Sequence, residues 1–331
     1  MDFFDAYDAA LTPLFTASNV LNLVAGADAA GLLDALRETT AVEDLASATG
    51  QDVTTVRAIC DALTATGVTC RDGERFRLSE PWSALADGAA FVPLGIALAG
   101  NAVEGRLLRG LAGNTYWSMP SEDRLVYARS ISPDPYSDEL VAGFAAQIAA
   151  DPDRAAMLEG GRLLELGCGV AGRVLATLRA APALTAVGVE LSEDLAAEAR
   201  RRAEELGVAD RFTVVCADAA EFRTEEPFDF GFWSQFFFPA EARPGALAAM
   251  RAALRPGAPV DAPLGADHEA EAADPTGPAG QEYAIGRAIL TSWGVPDRTP
   301  TSLTAELEEA GFTGVRVVPR AGSPAVRGFR P

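Results

Sequence analysis

Apolar residues recur along this chain in two rhythms, and the change between them divides it. Over the first 85 residues the spacing is helical, with amphipathic repeats at Ala27 to Leu36, Val42 to Thr49 and Val53 to Thr66. Gly50-Gln51-Asp52 reads as the turn between the last two, with Asp52 as N-cap. Val68 to Cys70 and Phe76 to Leu78 flank Arg71-Asp72-Gly73-Glu74, a hairpin signal. Residues 86–150 stay helical in rhythm and gather aromatic side chains. Beyond residue 150, short strand-like runs alternate with helices: Leu163 to Leu166, Thr185 to Glu190, Phe212 to Asp218, Phe228 to Ser234 and a run near Val260. That alternation predicts an α/β domain with a parallel sheet, behind an all-α, hairpin-bearing N-terminal region.

The first strand of the second region runs into Gly167-Cys168-Gly169-Val170-Ala171-Gly172. Glycines at the first two of these positions let the backbone turn tightly and approach a ligand, and Gly172 is expected to open the next helix against the sheet. Glu190 ends the next strand about 20 residues on, where such folds hold ribose hydroxyls. Asp218 ends the third strand and is a candidate acceptor for an adenine amino group. The same glycine spacing occurs in dinucleotide dehydrogenases, which use a hydride-transfer acid or base, commonly His or Lys. This chain has no lysine, and its one histidine, His268, sits in the polar run Asp267-His268-Glu269-Ala270-Glu271.

On these motifs the segment from about Gly160 onward resembles the class I methyltransferases that use S-adenosylmethionine (SAM). The whole chain resembles their small-molecule O-methyltransferase branch, which carries an N-terminal winged-helix dimerisation domain. The resemblance implies a Rossmann-like domain with a mostly parallel seven-stranded sheet over residues 151–331. It also implies a winged-helix pairing domain over 1–85 and a helical connector lining the acceptor pocket over 86–150. Glu165, Gly167 and Gly169 match the family's first motif and are expected around the methionine end of SAM. Glu190 matches the ribose acid, and Asp218 with Ala219 the adenine pair; Ser234 completes the expected cofactor set. Leu254-Arg255-Pro256-Gly257 and Glu309-Ala310-Gly311-Phe312 match late motifs. A homodimer using SAM and releasing S-adenosylhomocysteine is the expectation.

Charge removes several partners. The 331 residues carry a net charge of −20, and residues 26–82 hold ten acids against five arginines, so the phosphate term opposes binding of nucleic acid. Arg200-Arg201-Arg202 is followed at once by Glu204 and Glu205 and reads as a solvated helix face. The N-terminus lacks a signal-peptide pattern and no uninterrupted apolar run is long enough to span a bilayer, so no membrane partner and a cytoplasmic location are expected. Cys60, Cys70, Cys168 and Cys216 lack metal or redox spacing and read as reduced, mainly core residues; no metal site is expected.

The resemblance also assigns an acceptor pocket. Tyr116, Trp117 and Met119 are the candidates on one wall, and Trp233, Phe236 and Tyr283 on the other, with Trp293 nearby. Aromatic lining suits a flat or apolar acceptor. The family's general-base histidine follows the fourth strand, where this chain has Phe236-Phe237-Phe238-Pro239. Methyl transfer is therefore expected to run on positioning, which supplies on the order of 7 to 11 kcal/mol. Gln235 and Ser234 are candidates to orient the acceptor, and His268 is the candidate base. All arginine and abundant alanine suggest a GC-rich bacterial source and secondary metabolism. A non-methylating enzyme of this fold and a ligand-sensing regulator are the alternatives.

Overall fold

The computed structural model describes residues 2–86, 91–110, 115–265, 274–319 and 324–331. They divide into two compact units, Met1–Ala102 and Val103–Pro331. The expected divisions at 85 and 150 do not coincide with this boundary. In the first unit, α1 (Phe3–Ala10) is capped by Asp2, and α2 (Thr12–Ala29) ends where Gly31, at φ 73°, starts α3 (Leu32–Ala35). The single helix expected over Ala27 to Leu36 is thus two helices broken at Gly31. The apolar repeat crosses the break because Ala27, Leu32, Leu33 and Leu36 all turn into one core. After β1 (Thr40–Ala41) come α4 (Val42–Thr49) and α5 (Val53–Ala65), the latter capped by Asp52, which accepts from the Thr55 N–H at 2.9 Å.

The hairpin pairs β2 (Thr69–Asp72) with β3 (Arg75–Leu78), and β1 adds to the far side of β3 to give an antiparallel order β1-β3-β2. Phe76 and Leu78 face the core while Arg75 and Arg77 face water, as period-two alternation requires. α6 (Glu80–Ala86) follows, and α7 (Leu94–Arg109) crosses the boundary between the units. Among the described residues no single helix is long and apolar enough to cross a membrane.

The second unit begins with α8 (Ser121–Ser130) and α9 (Asp138–Ala150) and then alternates strand and helix. In order these are β4 (Arg162–Leu166), α10 (Gly172–Ala180), β5 (Thr185–Glu190), α11 (Glu193–Glu205), β6 (Phe212–Cys216), β7 (Phe230–Trp233), α12 (Arg243–Ala253) and β8 (Pro259–Pro263). Then come α13 (Pro278–Ser292), α14 (Pro300–Glu309), β9 (Thr313–Val318) and β10 (Ala325–Phe329). Seven strands form one sheet in the order β6-β5-β4-β7-β8-β10-β9, parallel except that β10 runs against both its neighbours. The chain winds outward from β4 to β6 and returns to β7 on β4's other side. That reversal opens a crevice at the carboxyl ends of β4 and β7, where ligands bind in open α/β sheets.

Both faces of the sheet are covered. Leu164, Leu166 and Trp233 join α12 and α14 in one core, while Leu163, Phe230 and Phe232 join α10 on the other. Buried charge interrupts this scheme at β8. Asp261 and Arg327, register partners on β8 and β10, are 0% and 1% exposed. Arg327 donates to Asp261 through Nε at 2.6 Å and Nη2 at 3.0 Å, and its Nη1 and Nη2 reach Asp151 at 2.9 and 2.7 Å; Arg154 also donates to Asp261. The network ties the segment before β4 to the sheet. Removing one partner of such a cluster strands the other charges without water. Asp261→Ala is therefore expected to lower unfolding free energy by about 3 to 5 kcal/mol in urea titrations, and Asp261→Leu with Arg327→Met to recover part of it. A loss under about 1 kcal/mol for Asp261→Ala would show that water reaches the cluster.

Candidate active site

β4 ends in a turn that only small residues can follow. Gly167 and Gly169 have φ of 74° and 55°, and Ala171, at 61°, is the one non-glycine with positive φ among the described residues. The N–H groups of Gly167 and Cys168 both donate to the Val189 carbonyl, at 2.9 and 3.1 Å, and pin the turn to the end of β5. A Cβ at Gly167 would lie 2.9 Å from the Phe238 ring; one at Gly169 would meet nothing. The turn is packed beneath and open above. Gly172 does begin α10, but the space its missing Cβ leaves is filled by the Pro133 carbonyl and Ser132 Oγ, so its close neighbour is the 130s segment and not the sheet.

Glu190 is the acid of this crevice. It is 5% exposed; one carboxylate oxygen accepts from Gly169 N–H at 2.8 Å and the other from Ser192 N–H at 2.9 Å. Burial pushes its carboxyl above the ordinary range even though these backbone donors pull the other way. Beside it Leu191 is 54% exposed, an apolar surface at a strand end that sequence reasoning missed. Asp218, exposed after β6, accepts from Ala220 N–H at 2.8 Å, with Ala219 buried behind it. Two neutral donors such as ribose hydroxyls fit the remaining lone pairs of Glu190, and a flat heterocycle fits between Leu191 and Asp218.

Glu165 lies buried on β4 with Phe232 as its register partner. Its cationic neighbour is Arg173, whose guanidinium stands 4.3 Å over the Phe232 ring; burial lowers the Arg173 pKa and the Glu165 charge opposes that. Cys168 is an unreactive core thiol, pushed up by burial and then by the charges of Glu190 and Glu165. No three His, Cys, Asp or Glu side chains converge on a common point among the described residues.

Past β7 the chain makes a single 3-10 turn, Gln235–Phe237, and here two expectations are corrected. Gln235 is 1% exposed and engaged at both ends, its Nε2 donating to the Pro263 carbonyl and its Oε1 accepting from Arg243 Nη2, each at 3.0 Å. It anchors the turn and does not meet an acceptor. Trp233 is fully buried in the core beneath Phe238, with the Arg243 guanidinium 4.5 Å over its ring, so it is no pocket wall. Ser234 is half-buried at the strand end, its N–H on the Leu166 carbonyl at 3.0 Å. Phe236 and the neighbouring Phe237 do face a cavity.

That cavity, about 250 Å³, is lined by Glu104, Tyr127, Ile131, Phe236, Phe237, Gly286, Ile289 and Leu290. Tyr116 stands behind Phe237, their ring centroids 5.4 Å apart, and also packs on Trp117, Tyr127 and Trp293. Burial, and next the charge of Glu190, push the Tyr116 hydroxyl well above its usual pKa, so this residue senses the crevice. Val170 of the glycine turn belongs to the same apolar cluster, as does buried Met119. Trp117, 36% exposed, covers Tyr116 edge-on. Tyr283 is a further correction: its hydroxyl donates to both oxygens of Asp297, at 2.9 and 2.8 Å, and α13 instead gives the cavity Gly286, Ile289 and Leu290. His268, with Asp267 and Glu269, lies outside the described residues.

α8 is held to the crevice through Asp194. Burial works against the charge of Asp194, but donors from Arg124, Ser121 and Ser192 outweigh it and hold the carboxyl at about 2.

Residues 163–257 match the family described as "Methyltransferase domain". Over that stretch the chain is similar to a methyltransferase domain. A curated relative, the uncharacterized protein YjhP of Escherichia coli (strain K12), is 33% identical over 96 residues, which is 29% of this chain and 36% of that protein, so the chain spans about a third of that relative's length. Two solved structures match over nearly the whole chain. Human N-acetylserotonin methyltransferase in complex with SAM is 15% identical with a TM-score of 0.70, covering 100% of this chain and 98% of its own. The mitomycin 7-O-methyltransferase MmcR is 18% identical with a TM-score of 0.69, covering 99% and 98%. At these identities the likeness is one of fold alone. The matched segment contains the whole crevice from Glu165 to Ser234.

The crevice has features that fit SAM: an open glycine turn, a buried acid for ribose and an apolar ledge for adenine. Glu190→Ala is expected to weaken SAM binding by about 2 to 3 kcal/mol in calorimetry, because hydrogen bonds to a charged acceptor contribute roughly 1.5 to 3 kcal/mol each and water recovers part of the loss. The raised carboxyl adds a pH signature. In the free protein Glu190 stays protonated above the ordinary carboxylate range, whereas ribose donors favour the ionised form. SAM binding should therefore release a proton at mildly acidic pH, and affinity should rise with pH across that window. Equal heats in buffers of different ionisation enthalpy would refute this.

Proposed function

We propose that the protein is a SAM-dependent methyltransferase that methylates a small aromatic or apolar metabolite in bacterial secondary metabolism, mainly by positioning it. The observation that carries this reading is the aromatic cavity beside the crevice, which shares Tyr127 and Phe237 with the cluster that includes Val170 of the glycine turn. SAM supplies a methyl group made electrophilic by a sulfonium centre. The chain's own part is to hold its partners: Glu190 takes the ribose hydroxyls, and Leu191 and Asp218 flank the adenine. Phe236, Phe237 and Tyr127 shape the acceptor's space and exclude water. Alignment at near-attack distance supplies on the order of 7 to 11 kcal/mol, enough to make a positioned base dispensable for an acceptor already ionised or uncharged but nucleophilic.

Labelled SAM with an extract of the source organism should yield a labelled small molecule and S-adenosylhomocysteine. Consumption of SAM without transfer of label would favour the non-methylating alternative. His268→Ala should then lower single-turnover methyl transfer by less than about tenfold, since removal of a true base costs 10²- to 10⁴-fold. A thousandfold loss with SAM binding intact would make His268 the base.

The first unit is, in this reading, a winged-helix module that pairs two copies. Support comes from α1 and α2, where Phe3, Phe4, Leu14 and Phe15 are 72%, 75%, 65% and 51% exposed, an apolar surface that suits an obligate interface. Deleting residues 1–25 should convert a dimer into monomers or aggregates by analytical sedimentation. A full-length chain that is monomeric at micromolar concentration would end the proposal.

A further inference from the structure

Glu104 is a half-buried carboxylate that lines the cavity. On α7 it stands between Val103 and Leu107, which are 2% and 4% exposed. Drawing a charge even partly out of water has a cost unless it is paired. Neither a hydrogen bond nor an ion pair engages Glu104 among the described residues, and the only other charge it feels is the like charge of Glu282 on α13. Nearby arginines are occupied: Arg106 pairs with Asp123, and Arg287 lies over the Tyr283 ring and within 4.0 Å of Asp297. The groups around it are the rings of Tyr127, Phe236 and Phe237 and the aliphatic Ile131, Ile289 and Leu290.

An anion set among π faces, with a second anion close by, is an environment that favours a cation. The carboxylate supplies a charge-assisted acceptor and the ring faces add their negative quadrupoles. We propose that Glu104 is the specificity residue of the acceptor cavity and that it anchors a protonated amine carried by an otherwise aromatic or apolar acceptor. Burial, and next Glu282, raise its carboxyl, so a bound ammonium relieves a strain present in the free protein. The inference rests on the cavity being the acceptor site of the proposed methyltransferase. It also restricts the chemistry. An ammonium nitrogen has no free electron pair, so the anchored nitrogen is not the atom methylated, and the nucleophile lies elsewhere on the same molecule. A cavity of about 250 Å³ has room for a ring and a short amine chain, since roughly 150 Å³ holds benzene.

The test uses the full-length chain and three probes of one shape: 2-phenylethylammonium, neutral 2-phenylethanol and anionic 3-phenylpropionate, titrated by calorimetry at neutral pH and low salt. The ammonium should bind at least about tenfold more tightly than the alcohol, and the propionate more weakly than both. Glu104→Gln should weaken the ammonium by about ten- to hundredfold and leave the alcohol unchanged, the alcohol reporting that the cavity is intact. Equal affinities of ammonium and alcohol in the unaltered protein, no binding of the ammonium, or an equal loss of both probes in Glu104→Gln would each overturn the proposal. SAM affinity is measured separately on the same samples. Absence of ammonium selectivity in the unaltered protein with SAM binding intact would refute the role of Glu104 alone, whereas absent SAM binding with selectivity intact would refute the methyltransferase reading and leave the cation site.

Discussion

The α/β unit depends on one constraint: the loop after β4 must leave the sheet in a left-handed turn and remain fastened to β5. Two N–H groups on the Val189 carbonyl and one on the Glu190 carboxylate achieve this, joining neighbouring strand ends through their backbones. Glycine at 167 and 169 removes the steric cost of the turn. Everything on the crevice follows from that fastening. Glu190 is fixed with two oxygens already directed, Leu191 is left outside, and Val170 is pushed into the aromatic cluster that backs the acceptor cavity.

The opposite wall is held by charge and not by apolar contact alone. Arg243, 1% exposed, donates to the backbone and side chain of Gln235 and to both oxygens of Glu306, while stacking on Trp233. The turn carrying Phe236 and Phe237 is therefore set on a buried ionic post. The Asp261 cluster does the same one strand further on. Ion pairs of this kind add little net stability against apolar replacements, but they define a single arrangement when every member is satisfied.

What was legible in the sequence was whatever depends on local rhythm and spacing. The glycine turn, the acid closing β5, the strand runs and the Asp52 cap all lie where their patterns predict, because each is decided within a few residues. The break at Gly31 was hidden because the core is indifferent to a helix interruption when the same apolar residues still reach it. Gln235, Trp233 and Tyr283 were misjudged for one shared reason. Their fates were settled by partners far along the chain, Pro263, Arg243 and Asp297, and no spacing rule reports on those. Glu104 escaped notice likewise: between Val103 and Leu107 it reads as a polar interruption, and only packing places it at the cavity.

Gly172 gives the two halves of the site a common gauge. The hydrogen on its Cα leaves just enough clearance for the Pro133 carbonyl and Ser132 Oγ, the two residues that follow Ile131 of the acceptor cavity. The helix that begins under the cofactor turn and the wall that shapes the acceptor are thus set to one another by close contact at Gly172, with only a backbone carbonyl and one short hydroxymethyl group to absorb an error. Close-packed interiors transmit such displacements instead of dissipating them. A shift of α10 of even a few tenths of an ångström would be felt at Ile131, so the spacing of donor and acceptor is machined into the scaffold before either ligand arrives.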